Sequence, residues 1–216
     1  TPFSGAVTGD LGSFGLQSPW AEQGLGFAAG VEQREETLDY QVDAILHSRG
    51  IEDVDAKIET EEVYGELSLP VISDRPWAHS VVLKAGYRYS RYDNLDQLND
   101  VSSDFNADTY KFEADWAPSE DIRFRASYQR AVRAPNIVEL FTAQGFNLFD
   151  LDGDPCGAEL AGSGEAASDA ACLASGVPAA LLRSSVLDSP AGQYNFLQGG
   201  DTTLEPETSD TFSYGL

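Results

Sequence analysis

Two consecutive segments between Ala107 and Phe141 alternate apolar and polar side chains and are joined by a short polar link. The apolar positions are Tyr110, Phe112, Ala114 and Trp116 in the first segment, and Ile122, Phe124, Ala126 and Tyr128 in the second. A period of two places these side chains on one face of a pleated strand. The pattern predicts a β-hairpin whose apolar face is covered either by a second sheet, as in a soluble sandwich, or by lipid, as in a transmembrane barrel.

Composition narrows the class of protein. The 216 residues carry a net charge of -23, which argues against nucleic acid as a partner because its phosphates would be repelled. Hydrophobic residues at 42% and aromatic residues at 11% indicate a folded chain. No apolar run approaches the roughly 20 residues of a membrane helix, but barrel strands are half polar and escape that criterion.

The sequence predicts an all-β, antiparallel up-and-down arrangement. Predicted strands are 25–37, 60–70, 80–92, 107–117, 122–132 and 209–216, with a further one within 5–16. The links 38–59, 93–106 and 133–208 are long, whereas 71–79 and 118–121 are short. Alternating short and long links place all short turns at one end of the sheet, as in outer-membrane barrels.

Aromatic residues follow the same polarity. Trp20, Trp77 and Trp116 lie in or beside the short links. Five tyrosines are placed toward the opposite end of their strands: Tyr64, Tyr87, Tyr89, Tyr92 and Tyr128. The distribution favours two aromatic girdles flanking an apolar band, with ordinary core aromatics as the alternative.

Charge is also segregated along the chain. Basic residues predicted to face away from the apolar side are Lys84, Arg88, Lys111, Arg123 and Arg125. The predicted long links are acidic. A solvated acidic surface explains them most simply, and attraction of cationic solutes or divalent bridging to lipid headgroups is the alternative.

Two cysteines, Cys156 and Cys172, lie in a polar segment rich in glycine and alanine. Their pairing in an exported protein predicts a disulfide, with two unrelated thiols as the alternative. The residues contain no Cys/His cluster of the kind that binds zinc.

Candidate ligand-binding residues are few. Arg88 and Arg125 are predicted to face inward, where they are candidates for binding anionic groups or for a charge network with Glu113 and Asp115. Asp150, Asp152 and Asp154 alternate around a glycine as in a calcium loop, although a solvated acidic turn explains them equally. We expect no other cofactor. No catalytic arrangement is recognisable, so we predict that the protein is not an enzyme.

Three segments resemble a known family. The segment RAPNIVELF from Arg133 to Phe141, the segment LEPETSDTFSYGL from Leu204 to Leu216, and Gly30–Glu35 resemble motifs of TonB-dependent outer-membrane receptors. The matching motif residues are Arg133, Ala134, Pro135, Asn136, Glu139, Leu140, Phe141, Leu204, Pro206 and Glu207. Position 201 is Asp where the family usually has Asn.

The residues of the first motif explain its expected local structure. Pro135 has no N–H and disfavours helical geometry at Ala134, so strand pairing should end there. Ile137, Leu140 and Phe141 recur at helical spacing and predict a short amphipathic turn that anchors the following loop. Arg133 at the start of this turn is a third candidate ligand-binding residue.

The resemblance implies that residues 1–216 are part of a 22-stranded receptor barrel, with the plug domain, the TonB box and both true termini lying outside them. It implies TonB-energised uptake of a scarce nutrient, such as a ferric siderophore or an oligosaccharide. Expected partners are the TonB complex, through the plug, and outer-membrane lipid or lipopolysaccharide.

The resemblance also implies a bacterial outer-membrane location, with long loops extracellular and short turns periplasmic. A loop closed by Cys156 and Cys172 would then cover the barrel mouth. A passive porin or a barrel-anchored adhesin is one alternative, and a soluble secreted β-sandwich that binds ligands is another.

Overall fold

The computed structural model describes residues 2–48 and 50–216. Within them the strands are β1 (Phe3–Asp10), β2 (Gly26–Tyr40), β3 (Val54–Arg75), β4 (Ala78–Asp96), β5 (Val101–Ala117), β6 (Phe124–Arg133), β7 (Gly145–Asp150), β8 (Gln193–Gln198) and β9 (Glu207–Gly215). The helices are α1 (Ala44–His47), α2 (Ile137–Phe141) and α3 (Asp169–Ala174), with short 3-10 turns at Gly12–Phe14 and Ala179–Leu181. No described helix has the length and apolarity to cross a membrane.

Seven strands form one antiparallel sheet in the order β1-β2-β3-β4-β5-β6-β9. Each strand pairs with the next in sequence except at β6, where the chain leaves the sheet and returns as β9. β7 and β8 form a separate hairpin. Strands β1 and β9 are the edges of the larger sheet, so in the described residues it is not closed into a barrel.

The chain divides into two compact units. The wall unit comprises residues 1–41, 53–142 and 200–216 and contains the seven-stranded sheet and α2. The loop unit comprises residues 42–52 and 143–199 and contains α1, α3 and the β7–β8 hairpin.

All six predicted strands are present, and the further strand expected within 5–16 is β1. Several strands are longer than predicted. β3 has 22 residues and β4 has 19, so residues 38–40 and 54–59 of the predicted loop 38–59 are strand. Most of the predicted loop 93–106 is also strand, and only residues 97–100 link β4 to β5. A stacked pair, Tyr92 and Phe105, with ring centroids 4.7 Å apart, holds the two strands together in this acidic region.

The predicted alternation of short and long links is therefore wrong as a count of residues. Links 11–25, 76–77 and 118–123 lie at one end of the sheet, and links 41–53, 97–100 and 134–206 lie at the other. The first group includes a link of 15 residues and the second includes a link of four. What distinguishes the second end is the extension of β3, β4 and β5 together with the segment between β6 and β9.

Tryptophan marks the first end, here called the tryptophan end. Trp77 lies in the two-residue link between β3 and β4 with a positive φ of 63°, and its carbonyl accepts a hydrogen bond from Trp116 Nε1 at 3.2 Å. Trp20 forms an isolated bridge with Ile72. The opposite end of the strands, where β2 meets β3 and β4 meets β5, is called the far end.

Cross-strand register collects apolar side chains on one face of the sheet. Directly paired residues share a face in an antiparallel ladder, and Leu67, Ala85, Phe112, Tyr128 and Phe212 lie in one such row. Phe112 is 55% exposed and Phe212 is 74% exposed. Large apolar residues exposed on this face include Phe3, Val7, Val31, Val63, Leu67, Leu83, Tyr87, Phe112, Trp116, Phe124, Phe212 and Tyr214.

A tyrosine row limits the apolar face toward the far end. Tyr89 donates to Asn106 at 2.9 Å, Tyr128 donates to Asp210 at 3.1 Å, and Tyr87 is hydrogen-bonded to Asp108. Three of the five tyrosines predicted for a girdle thus lie on this face. Tyr64 and Tyr92 do not, because their register places them on the opposite face.

Most of the buried apolar residues of the wall unit lie at the far end. Val54, Ala56, Ile58 and Thr60 are buried at alternate positions of β3, in the same alternation as the polar face of the sheet. The helix α2 contacts β2 and β3, and its Leu140 and Phe141 are buried. The predicted amphipathic turn is therefore present and packs its apolar side onto the wall.

One glycine on the polar face is required by a close approach. A Cβ at Gly30 would lie 2.5 Å from the ring of Tyr64 and 2.9 Å from the carbonyl oxygen of Gly5. Gly30 and Tyr64 are directly paired between β2 and β3, so the ring covers the strand where the glycine leaves space.

We therefore expect Gly30→Ala to lower the free energy of unfolding by about 1–3 kcal/mol, because Tyr64 must shift from its position. The matched control is Gly65→Ala in the neighbouring strand, where the new methyl group would make an ordinary 3.8 Å contact. Urea unfolding of the full chain in detergent micelles measures both variants. Equal effects of the two substitutions would contradict this role of Gly30.

Candidate functional site

Charged side chains on the polar face of the wall unit are paired with one another. Ion pairs link Lys84 to Glu113 at 3.3 Å, Lys111 to Glu66 at 3.3 Å, Arg88 to Glu62 at 2.8 Å, Arg125 to Asp115 at 3.7 Å, and Arg123 to Asp115 at 3.6 Å. Register places Lys84, Arg88, Lys111 and Arg125 opposite the apolar face, as predicted. This surface is polar and nearly charge-balanced.

Arg88 is the most constrained of the predicted inward bases. Its guanidinium lies 4.8 Å from the ring centroid of Tyr64, a cation–π arrangement. Its partner Glu62 has a side chain only 7% exposed and also accepts a hydrogen bond from Ser90 at 2.5 Å. Arg125 joins Asp115 as the predicted charge network required, but Arg88 uses Glu62 instead of Glu113 or Asp115. Ligand binding by these arginines remains a prediction.

Arg133 connects the two motif segments. It donates to Glu139 from Nη1 at 2.9 Å and 3.0 Å, and to Glu207 from Nε at 3.0 Å and Nη2 at 2.8 Å. A guanidinium fork that binds two carboxylates fixes their relative geometry more closely than a single ion pair. We call Arg133, Glu139 and Glu207 the arginine clasp; it joins the end of β6, the helix α2 and the start of β9.

The helix α2 is capped from within the motif. Asn136 accepts hydrogen bonds from the backbone N–H groups of Val138 and Glu139, and Glu139 accepts one from the backbone N–H of Asn136, which completes a capping box. Arg133 and the Asn136 N–H together hold the pKa of Glu139 below its ordinary value, so this carboxylate is charged at neutral pH. Pro135 is buried immediately before the cap.

The returning segment lies beside α2. Gly200 N–H donates to Thr142 O at 2.7 Å, and Asp201 N–H donates to Glu139 O at 2.9 Å. A Cβ at Gly200 would lie 2.5 Å from the backbone of Leu140, so this approach requires glycine. The two ends of segment 143–199 therefore leave the wall unit next to each other.

Asp201, the departure from the family pattern, caps the turn that follows. Its carboxylate accepts from the backbone N–H of Thr203 at 2.8 Å and from the Thr203 hydroxyl at 2.6 Å, and these bonds lower its pKa. Leu204 completes this turn through its N–H, and Pro206 directly precedes β9. The turn requires a side-chain oxygen at position 201 that accepts hydrogen bonds from Thr203. An aspartate carboxylate supplies this oxygen as an asparagine amide would.

The loop unit contains the predicted disulfide. Cys156 and Cys172 are bonded, with Cα atoms 5.7 Å apart, and Cys172 is fully buried. Whether this unit covers a barrel mouth remains a prediction.

Arg183 organises the disulfide segment, and sequence reasoning did not identify it. Its side chain donates to Pro155 O at 2.7 Å, to Asp169 at 2.9 Å and to Ala167 O, and its backbone N–H donates to Cys156 O at 2.9 Å. It has a positive φ of 59°. Arg183 is the only basic residue in the sequence 143–199, and this isolation among acidic residues could have identified it as a structural residue.

The three aspartates of the candidate calcium loop have structural partners or face solvent. Asp150 accepts from Gln193 at 3.3 Å, Asp154 accepts from the Cys156 N–H at 2.7 Å, and Asp152 is exposed. Among residues 2–48 and 50–216, no group of three or more His, Cys, Asp or Glu is arranged to hold a metal ion. Calcium binding stays a prediction.

We expect Arg133→Ala to destabilise the contacts that hold both ends of segment 143–199 to the wall unit, because it leaves Glu139 and Glu207 without their shared cation. The measurement is amide hydrogen exchange at Gly200 and Asp201, whose N–H groups bond to the α2 region. Exchange there should become several-fold faster.

The matched control for the clasp is Arg91→Ala. Arg91 has the same 54% side-chain exposure as Arg133, and within the described residues its ion pair is with its near neighbour Asp93 at 3.0 Å. It should leave exchange at Gly200 and Asp201 unchanged. A clasp variant that behaves like this control would show that the clasp does not anchor the segment.

Comparisons with known proteins agree with this architecture. The family model described as TonB dependent receptor-like, beta-barrel, matches residues 3–216. Comparison with curated proteins found no match, and comparison with solved structures found none either. The matched range includes the whole seven-stranded sheet and both segments joined by the arginine clasp, and the chain belongs to the TonB-dependent receptor β-barrel family.

Proposed function

We propose that the chain forms part of the wall and loops of an outer-membrane receptor that takes up a scarce nutrient with energy supplied through TonB. Family membership supports a receptor or transporter role in general. The observation that carries the proposal is the opposition of two faces, one apolar and exposed, the other polar and charge-paired.

The apolar face is close in height to a lipid contact. From Val81 to Tyr89 on β4 the strand rises about 26 Å at the usual step per residue, which is about 20 Å along the membrane normal at the usual tilt of roughly 35–45°. An outward apolar band of roughly 25 Å between aromatic girdles is characteristic of outer-membrane barrels. Trp77 and Trp116 at one limit and Tyr87 and Tyr89 at the other supply such girdles.

The far end is proposed to be extracellular and the tryptophan end periplasmic. The far end carries the links 41–53 and 134–206, which include the loop unit, and the strands extend there beyond the tyrosine row. Long outer loops and short periplasmic turns are the usual arrangement. The loops would capture the solute from the medium.

Passage would run along the polar face. Its charges are neutralised in pairs, so a large polar solute meets hydrogen-bonding groups without a strong net field of either sign. A ferric siderophore, an oligosaccharide or another large nutrient fits this surface. Coupling to TonB would act through a plug domain, as the family implies.

Growth of a deletion strain on limiting iron and carbon sources tests this proposal. Loss of growth on one source, restored by the intact gene, identifies the nutrient. Uptake of that nutrient should stop when TonB is deleted or the proton gradient is collapsed.

Uptake that persists without TonB would refute energised transport and indicate a passive porin. A strain with normal uptake on every source but impaired surface attachment would indicate an adhesin. The match to a β-barrel family and the exposed apolar face of the wall unit argue against a soluble β-sandwich.

A further inference from the structure

The β7–β8 hairpin in the loop unit has two different apolar faces. On one face, Phe149 packs against Tyr194 and Phe196, with ring centroids 6.2 Å and 5.5 Å apart. Register places Phe146, Leu148 and Leu197 on the opposite face, which ends in the pair Asp150 and Gln193. Among the described residues, the aromatic ring contacts of this hairpin lie on the first face.

The second face is open. Phe146 is 74% exposed, and Leu148 and Leu197 are more than half exposed. We call Phe146, Leu148 and Leu197 the hairpin strip. A two-stranded hairpin is marginal by itself in water, and an exposed apolar strip on it marks an interaction surface.

The surrounding segment is acidic. Residues 143–199 contain seven acidic residues and one basic residue. The acidic residues are Asp150, Asp152, Asp154, Glu159, Glu165, Asp169 and Asp188. The single base, Arg183, is engaged by Pro155, Ala167 and Asp169 inside the unit.

Some of these carboxylates have internal partners and others do not. Asp154 and Asp188 accept backbone N–H groups of the disulfide segment, and Asp169 binds Arg183. The Asp152, Glu159 and Glu165 side chains are exposed and make no hydrogen bond or ion pair with the described residues. Charge of one sign is thus presented to solvent near the hairpin strip in the sequence.

We propose that the hairpin strip and the acidic segment around it dock a cationic peptide that carries apolar side chains. The inference rests on the proposed receptor function, because it assigns a ligand class to the segment between β6 and β9. The apolar side chains contact Phe146, Leu148 and Leu197, and the cations are attracted by the free carboxylates.

Size and charge select this occupant. Three apolar side chains bury far less than the roughly 1,200–2,000 Å² of a stable protein interface, so a second copy of the chain is a poor fit. An anionic surface would be repelled. In an extended peptide, alternate side chains recur about 6.8 Å apart, which is also the spacing of Phe146 and Leu148 along β7.

The test uses the full receptor in nanodiscs of zwitterionic lipid and fluorescent peptides of three sequences. Lys-Phe-Lys-Phe-Lys-Phe should bind, and binding should weaken as salt is raised. Lys-Ser-Lys-Ser-Lys-Ser, without apolar groups, and Glu-Phe-Glu-Phe-Glu-Phe, with reversed charge, should each bind about tenfold or more weakly. Equal binding of all three peptides would overturn the proposal.

Two substitutions locate the apolar contact. Combining Phe146→Ser with Leu197→Ser should weaken binding of the lysine–phenylalanine peptide about tenfold. Val186→Ser is the control, because Val186 is 73% exposed in the same loop but lies outside the hairpin strip. Equal effects of the two variants would overturn the assignment to the strip.

A charge variant tests the same docking surface independently, so it decides the outcome if the hairpin variant fails to fold. Replacing Asp152, Glu159 and Glu165 by their amides alters only exposed side chains, and should weaken binding several-fold and reduce its salt dependence. The control replaces Glu120 and Asp121 at the tryptophan end by their amides. It should change neither the affinity for the peptide nor the salt dependence of binding. Unchanged binding in the loop variant would overturn the role of the carboxylates.

The outcome is separable from that of the proposed function. A receptor that supports TonB-dependent uptake but binds no cationic peptide refutes this inference alone. One that binds the peptide at the hairpin strip but supports no energised uptake refutes the transport function and leaves the docking surface in place.

Discussion

The cross-strand register of the seven-stranded sheet is the constraint on which the rest of the structure depends. Because side chains alternate with a period of two, a slip of one residue between any two strands would exchange the apolar and polar faces. Rows such as Leu67, Ala85, Phe112 and Tyr128 hold the register across four strands. One face can then contact lipid while the other carries Arg88, Arg125 and their carboxylate partners.

The arginine clasp shows how a wall of this kind carries a large loop. Strand pairing ends after Arg133 because Pro135 cannot continue it, and the same arginine holds both the helix that follows and the strand that returns. The segment between them is organised by a disulfide and by Arg183. The motif that identifies the family thus anchors the segment, whereas we place ligand recognition in the segment itself.

The sequence predicted the strands of the seven-stranded sheet, their faces, the helical turn at Ile137–Phe141 and the disulfide, because each depends on local periodicity or on a single pairing. It did not predict β7 and β8, which lie inside the predicted loop 133–208. The prediction of loops at the far-end extensions of β3, β4 and β5 was wrong, because aspartate and asparagine are abundant there and usually mark turns. There, pairs such as Asn94 with Ser103 and the Tyr92–Phe105 stack sustain the ladder. The partners of Arg88 and Arg183 depend on long-range register and loop geometry, which no local pattern contains.

Spin labels placed one at a time from Leu83 to Arg88 on β4 would test the central claim most directly. In the full receptor in a bilayer, collision with oxygen, which partitions into lipid, is compared with collision with a water-soluble nickel chelate. Labels at Leu83, Ala85 and Tyr87 should favour oxygen, and labels at Lys84, Gly86 and Arg88 should favour the nickel chelate. Accessibility without this period of two, or with the two sets reversed, would contradict a lipid-facing apolar wall.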